Sequence, residues 1–338
     1  AVAALLESRK IVITATEAPG CPLERADSRK STDVTFHRDV EPILQRNCQE
    51  CHRPGEVGPF PFLTYEQVKS KGNAIREAVS DRRMPPWFAD PAHGSWQNDR
   101  RLTTREIQTI TKWVDGGMPQ GSAKNAPPAR KFTDGWKIGT PDLVVSMPKP
   151  RKIKAEGTLP YMYSVVRTNL TEDRWVRAIE VRAGNREVVH HILIFVQSRK
   201  RALQDLESTG GGLESYFGIM VPGEDPTAFA EGEGKLLPAN CSLVFQIHYT
   251  PNGEATQDQS SVGFLFAKEP VKREIVTKGV YNVDLNIPPG EGNHRDTASH
   301  EFEEDVEIRS FLPHMHLRGK SIRYEAIYPD DRREILLD

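Results

Sequence analysis

Two cysteines separated by two residues and followed at once by histidine, Cys48-Gln49-Glu50-Cys51-His52, constrain this chain more than any other feature. That spacing is the attachment site of a c-type haem, in which both thiols add to porphyrin vinyl groups and the histidine becomes the proximal iron ligand. A thioredoxin-like redox pair and half of a zinc site are the competing readings. The first sits in a βαβ pattern and the second needs another pair of ligands, and neither context accompanies the motif. Cys48, Cys51 and His52 therefore point to electron transfer.

The flanks supply a small helical unit. Phe36, Val40, Ile43 and Leu44 fall on one helical face just ahead of the cysteines, and further amphipathic helices are expected over Tyr65–Val79 and Thr103–Val114, the latter ending at Gly116-Gly117. A sixth iron ligand would come from a rigid loop. Met84, in Arg82-Arg83-Met84-Pro85-Pro86-Trp87, follows the second helix where prolines prevent helix continuation, and Met118 in Gly117-Met118-Pro119 is its competitor. Trp87 and Trp113 are pocket walls or core residues. A backbone carbonyl from the loop Arg53–Pro59 is expected to hold the second nitrogen of His52.

Residues 34–121 resemble the cytochrome c domains fused to larger oxidative enzymes in bacteria, with Cys-x-x-Cys-His, a Met-Pro-Pro-Trp loop and a closing Trp-Val-Asp-Gly-Gly helix end. The resemblance implies a small all-α domain with covalent haem c, His52 proximal and Met84 distal.

The length of 338 residues suggests a multidomain protein. A net charge of −2 with no basic run argues against nucleic acid or an anionic membrane surface as the main partner. No apolar run is long enough for a transmembrane segment. Haem attachment of this type occurs outside the cytoplasm, so a periplasmic or extracytoplasmic location is expected, with the export signal not in this chain. The first residue is Ala1, so a processed chain or a fragment is expected. Cys21 and Cys241 remain after the haem is served, and a disulfide between them or separate fates are both open.

Residues 122–135, rich in proline, lysine and alanine at their start, read as a linker. After it the helical period gives way to short apolar runs broken by Pro, Gly and Asn: Asp142–Met147, Val176–Val181, Val188–Val196, Leu243–Tyr249, Val262–Phe266 and Val306–Leu312. These predict an all-β sandwich or jelly roll.

Five of the ten histidines lie in three apolar strand contexts: His190-His191, His248 in Phe245-Gln246-Ile247-His248-Tyr249, and His314-Met315-His316. Residues two apart on a strand share a face, so His314 and His316 can chelate one ion and Gln246 stands beside His248. Adjacent His190 and His191 reach one ion only if the strand twists or bulges. Clustered imidazoles without a nearby cysteine suit copper or zinc, and the missing thiolate argues against a blue-copper carrier. His37, His93, His294 and His300 lie in polar or loop contexts and read as surface residues.

Residues 136–338 resemble the copper type II, ascorbate-dependent monooxygenases, related to peptidylglycine α-hydroxylating and dopamine β-monooxygenases. That family holds an electron-donating copper with a His-His pair and a later histidine, and an oxygen-binding copper with a His-x-His pair and a distant methionine. The resemblance implies His190 and His191 for the first copper, joined by His248 or by one of His314 and His316. We assign His248 to the first site and His314 with His316 to the second, whose methionine would lie beyond Asp338. The implied architecture is a first jelly roll over 136–268 and the start of a second over 269–338, with one copper site incomplete in this chain.

Where peptide-amidating members anchor a substrate carboxylate by arginine, Leu312 stands here, and an apolar side chain makes no charge-assisted pair. A small organic or otherwise peptide-like C–H substrate is implied, with Arg318 an alternative anion anchor. Residues 1–33 resemble the tail of a thioredoxin-fold redoxin domain over Val2–Cys21, or form a flexible leader. The expected activity is hydroxylation of a substrate C–H with O2, with His314, His316 and a supporting Gln246 at the reaction, and electrons from ascorbate or a redox protein entering through the haem. The alternative is an electron-transfer cytochrome with a catalytically inactive, partner-binding sandwich.

Overall fold

The structure, a computed structural model, describes residues 32–197, 215–315 and 318–338. Strand outweighs helix in it: a helical unit at the N-terminal side is followed by a β-sandwich. Among the described residues no helix is long and apolar enough to cross a membrane.

The helical unit begins with a wide π-helical turn, Phe36–Val40, that runs into α1, Glu41–Asn47. Pro42 sits in the first turn of α1, where its fixed φ suits the helix. Capping boxes start two further helices: Thr64 with Gln67 opens α2, Tyr65–Lys69, and Thr103 with Glu106 opens α4, Thr104–Asp115. Between them lies α3, Gly72–Ser80. The single helix expected over Tyr65–Val79 is thus two. Ser70 Oγ donates to Gln67 O at 2.7 Å and Lys71 leaves helical dihedrals. Gly72 then passes so close to Met118 that a β-carbon would collide with the Met118 sulfur. Phe36, Val40, Leu44, Ile75, Ile110 and Trp113 form the core of the unit.

Two sheets, antiparallel except for one short edge pair, make the sandwich. The first has the order β1 (Leu143–Ser146), β11 (Ser261–Phe266), β4 (Arg174–Arg182), β8 (Glu233–Leu237), β12 (Arg273–Glu274), with β7 (Thr227–Ala228) on β4 and the β12–β8 pair parallel. The second runs β3 (Met162–Arg167), β9 (Ser242–Tyr249), β5 (Val189–Gln197), β6 (Tyr216–Met220). Period-two alternation, shifted in β4 by a bulge between Val176 and Ala178, divides the strands: Ile192, Ile194, Phe245 and Ile247 face one core with Val176, Ile179, Val262 and Phe264 of the first sheet. His191, Gln246 and His248 therefore belong to the outer face of the second sheet. Small two-stranded pairs, β2 (Arg151–Ile153) with β10 (Thr256–Asp258) and β13 (Tyr324–Ile327) with β14 (Arg333–Leu337), complete the inventory.

The strands expected around 142–147, 176–181, 188–196, 243–249 and 262–266 form within a residue or two of those limits. Val306–Leu312 does not. No strand pairs with it among the described residues, and Val306, Ile308 and Leu312 are left exposed, so the alternating pattern has no neighbour to supply its hydrogen bonds. The leader with Cys21 lies outside the described residues. Cys241 is a buried free thiol beside Thr168 Oγ1 at 3.6 Å.

Candidate haem-attachment loop and tri-histidine centre

α1 delivers Cys48 at its C-terminal end, where the Cys48 N–H still bonds Leu44 O at 2.9 Å. The motif then closes one turn, with Cys51 N and His52 N both donating to Cys48 O, at 3.2 and 3.0 Å. Both thiols are free and half-buried. Burial pushes Cys48 up to about 12 and raises Cys51 as well. Redox-active Cys-x-x-Cys pairs depend on a lowered thiol pKa, so these shifts run against a disulfide oxidoreductase.

His52 is fixed from one side. Its Nδ1–H donates to Phe60 O at 3.0 Å, and its ring stacks on Phe62 at 4.3 Å between centroids. Burial lowers its pKa, which favours the neutral imidazole that a metal requires, and Nε2 is the remaining donor. The carbonyl comes from Phe60, beyond the loop Arg53–Pro59 expected to supply it. The loop instead folds back through Gly58, whose N–H bonds Cys51 O at 2.9 Å and where a β-carbon would lie 2.8 Å from His52 Nδ1.

Met84 is 45% exposed beyond α3, whereas Met118 is packed against the helical core with its sulfur at Gly72. Trp113 is fully buried with its Nε1–H satisfied by Pro119 O at 3.0 Å, so it is core. Trp87 Nε1 is different: it is buried with no hydrogen-bond partner among the described residues. An orphaned donor in the Met-Pro-Pro-Trp loop suits a haem propionate, and together with two free thiols and an oriented imidazole it makes this residue set fit the group.

On the outer face of the second sheet, β5 and β9 pair Val189 with Tyr249 and His191 with His248, so the register slips by one between Val189 and His191. His190 is the extra residue of this bulge. The slip lets adjacent histidines serve one point, which a regular strand forbids. His190, His191 and His248 form a triangle with every pair of ring centroids 5.2 Å apart, and one donor nitrogen from each lies within 4.8 Å of the others. His190 Nδ1 and His191 Nδ1 are 2.9 Å apart. Three imidazoles with neither thiolate nor carboxylate are a donor set for copper or zinc with a further position left open.

Gln246 is buried two residues before His248, and its Nε2 donates to Tyr163 Oη at 2.9 Å. It supports the face beside the triad through that tyrosine. Tyr161, whose ring lies 5.2 Å from His248 and 5.8 Å from His191, borders the triad directly. Sequence reasoning passed over both tyrosines, although the alternation Tyr161-Met162-Tyr163 ahead of a strand carried the signal.

His314 is exposed on an irregular stretch and is not part of the triad, and His316 lies outside the described residues. Arg318 and Leu312 are exposed. Of the remaining histidines, His294 and His300 are exposed as expected, but His93 and His37 are half-buried, the latter held by Glu41 Oε2 at 2.8 Å. Its position one turn before Glu41 at the start of the helical run places it partly under the chain.

No family model matches the chain, and no curated protein matches it.

Proposed function

We propose that this chain is an oxidoreductase in which the helical unit is a cytochrome c domain and the sandwich is the first jelly roll of a copper type II monooxygenase. The observation that carries the proposal is the β5 bulge, which gathers His190, His191 and His248 in a chain that also holds Cys48-x-x-Cys51-His52. A bulge weakens a sheet, and one that converges three imidazoles is best explained by a metal.

Cys48, Cys51, His52 and Met84 are the residues that would hold a haem, which would supply one-electron redox chemistry. Copper at the triad supplies a second one-electron centre. The chain's own residues do the rest: Phe60 O and Phe62 orient the His52 ring, and Gln246 with Tyr163 stiffens the strand that carries His248. His314 and His316 remain the proposed oxygen-site pair for hydroxylation of a small organic or peptide-like substrate. Ascorbate or a redox protein is the proposed donor, and the location is extracytoplasmic.

A second reading rests on the exposure of His314 on a stretch without strand pairing: an electron-transfer protein with haem and one metal, and no working oxygen site. Elemental analysis and oxygen uptake separate the two. The chain matured with haem and supplied with copper is expected to hold iron and copper and to consume O2 with ascorbate. Iron and copper without oxygen uptake would favour the second reading, and iron alone would defeat both.

A further inference from the structure

The loop that carries the haem-attachment motif is tied to the linker and to the sandwich by opposite charges. Glu50, inside the motif, accepts from Arg130 Nη2 at 2.6 Å and Lys137 Nζ at 2.7 Å. Glu56 accepts from Arg186 Nη1 at 3.1 Å and from its neighbour Arg53 at 2.7 Å. Both carboxylates are mostly buried, and Arg186 precedes His190 by four residues.

A backbone contact lies beside these pairs. Gly223, at φ +84, passes so close that a β-carbon would sit 2.9 Å from Cys51 Sγ and 2.9 Å from Arg100 Nη1. The glycine follows β6, whose Met220 pairs with Ile192, the residue after His191. A small polar cavity of about 40 Å³, edged by Glu50, Glu56, Arg186 and Glu224, fills the rest of the contact and is large enough for water.

We propose that Arg186 and Gly223 are positioning residues of a built docking surface, which holds the haem-attachment loop against the end of the sandwich that carries the histidine triad. This rests on the redox reading of both sites. The step it supports is the passage of one electron within one chain, oxidising haem iron by one and reducing copper from Cu(II) to Cu(I), with no bond formed or broken. The route is short: across the non-bonded contact from the Cys51 sulfur to Gly223, along the backbone to Met220, over the β6–β5 pairing to Ile192, and one residue on to His191.

The test uses the full chain with Arg186→Glu, Arg186→Lys and Gly223→Val. In the haem-free chain, iodoacetamide labelling of Cys51, followed by peptide mass spectrometry, reads how often the contact opens. Arg186→Glu is expected to speed labelling about tenfold, equivalent to 1.4 kcal/mol, with Arg186→Lys within about twofold of the parent. In the haem-matured, Cu(II)-loaded chain, flash reduction of the haem is followed by its reoxidation. That phase is expected to be first-order and independent of protein concentration, and about tenfold slower in Arg186→Glu at unchanged metal content. Gly223→Val is likewise expected to speed labelling, and labelling unmoved by both Arg186→Glu and Gly223→Val would overturn the docking surface. Faster labelling with an unchanged reoxidation rate would overturn the positioning role. No reoxidation in the parent chain, with labelling still responsive, would defeat the redox reading instead and leave only a structural contact.

Discussion

At the scale of single residues, two buried nitrogens test how the fold is used. Lys235 on β8 donates to Tyr216 O at 2.6 Å and Thr277 Oγ1 at 2.7 Å and lies over the rings of Tyr216 and Phe217, with no carboxylate pair among the described residues. Burial lowers its pKa from 10.5 to about 8. Between those values the unfolded chain holds a proton that the folded chain has released, so stability rises with pH across the window. Below about 8 the burial cost is felt in full, about 3 kcal/mol at 1.36 kcal/mol per pH unit. Urea unfolding between pH 8 and 10 is expected to show this upward slope, and Lys235→Met is expected to flatten it. The orphaned Trp87 Nε1 gives a sign reversal. Leaving a buried donor unpaired costs about 1–3 kcal/mol, so Trp87→Phe is expected to be neutral or stabilising in the haem-free chain. If a haem propionate takes up that donor in the haem-matured chain, the same substitution is expected to lower the melting temperature there.

At the scale of elements, the sequence was legible where a pattern was local and failed where a partner was needed. The adjacency of His190 and His191 within an apolar strand already demanded a bulge if both were to serve one ion, and the register slip between Val189 and His191 meets that demand. The haem motif and the five strands that form were readable for the same reason. The break at Ser70–Lys71 was not, because it depends on Met118, far along the chain, packing on Gly72. Nor was the loss of strand at Val306–Leu312, since alternation reports a face and says nothing of who covers it. The bulge itself can be tested. Deleting His190 restores a regular two-strand ladder, so the melting temperature is expected to hold or rise while stoichiometric copper binding is lost. Ile192→Ala, at the fully buried neighbour on the inner face, is expected to cost about 2–5 kcal/mol in chemical unfolding and serves as the contrast.

Across the whole molecule, the helical unit is bound to the β part at two separate places, and the two contacts differ in chemistry. One is the charged contact of Glu50 and Glu56 with Lys137 and Arg186, to which Arg130 of the linker adds. The other is mainly backbone and aromatic: Asp90 N donates to Asp338 O at 2.8 Å, Gly94 lies close to Leu336 O, and Trp96 meets Phe311 edge to face at 6.1 Å. The residues that follow the Met84 loop are therefore seated on the β13–β14 hairpin, while those around Cys51 are seated on β6 and the start of β5. Salt separates the two contacts, because a screening length of about 3 Å at about 1 M leaves apolar and backbone contacts intact while weakening charge pairs that retain solvent exposure. In low salt, calorimetry is expected to give a single cooperative transition for helical unit and sandwich together. At about 1 M salt the helical unit is expected to melt first, as a resolved transition, and the double variant Glu50→Gln, Glu56→Gln is expected to produce the same split without added salt. If the transitions remained merged under both treatments, the hairpin contact alone would suffice to couple the units, and the charged contact would then serve orientation and contribute little to stability.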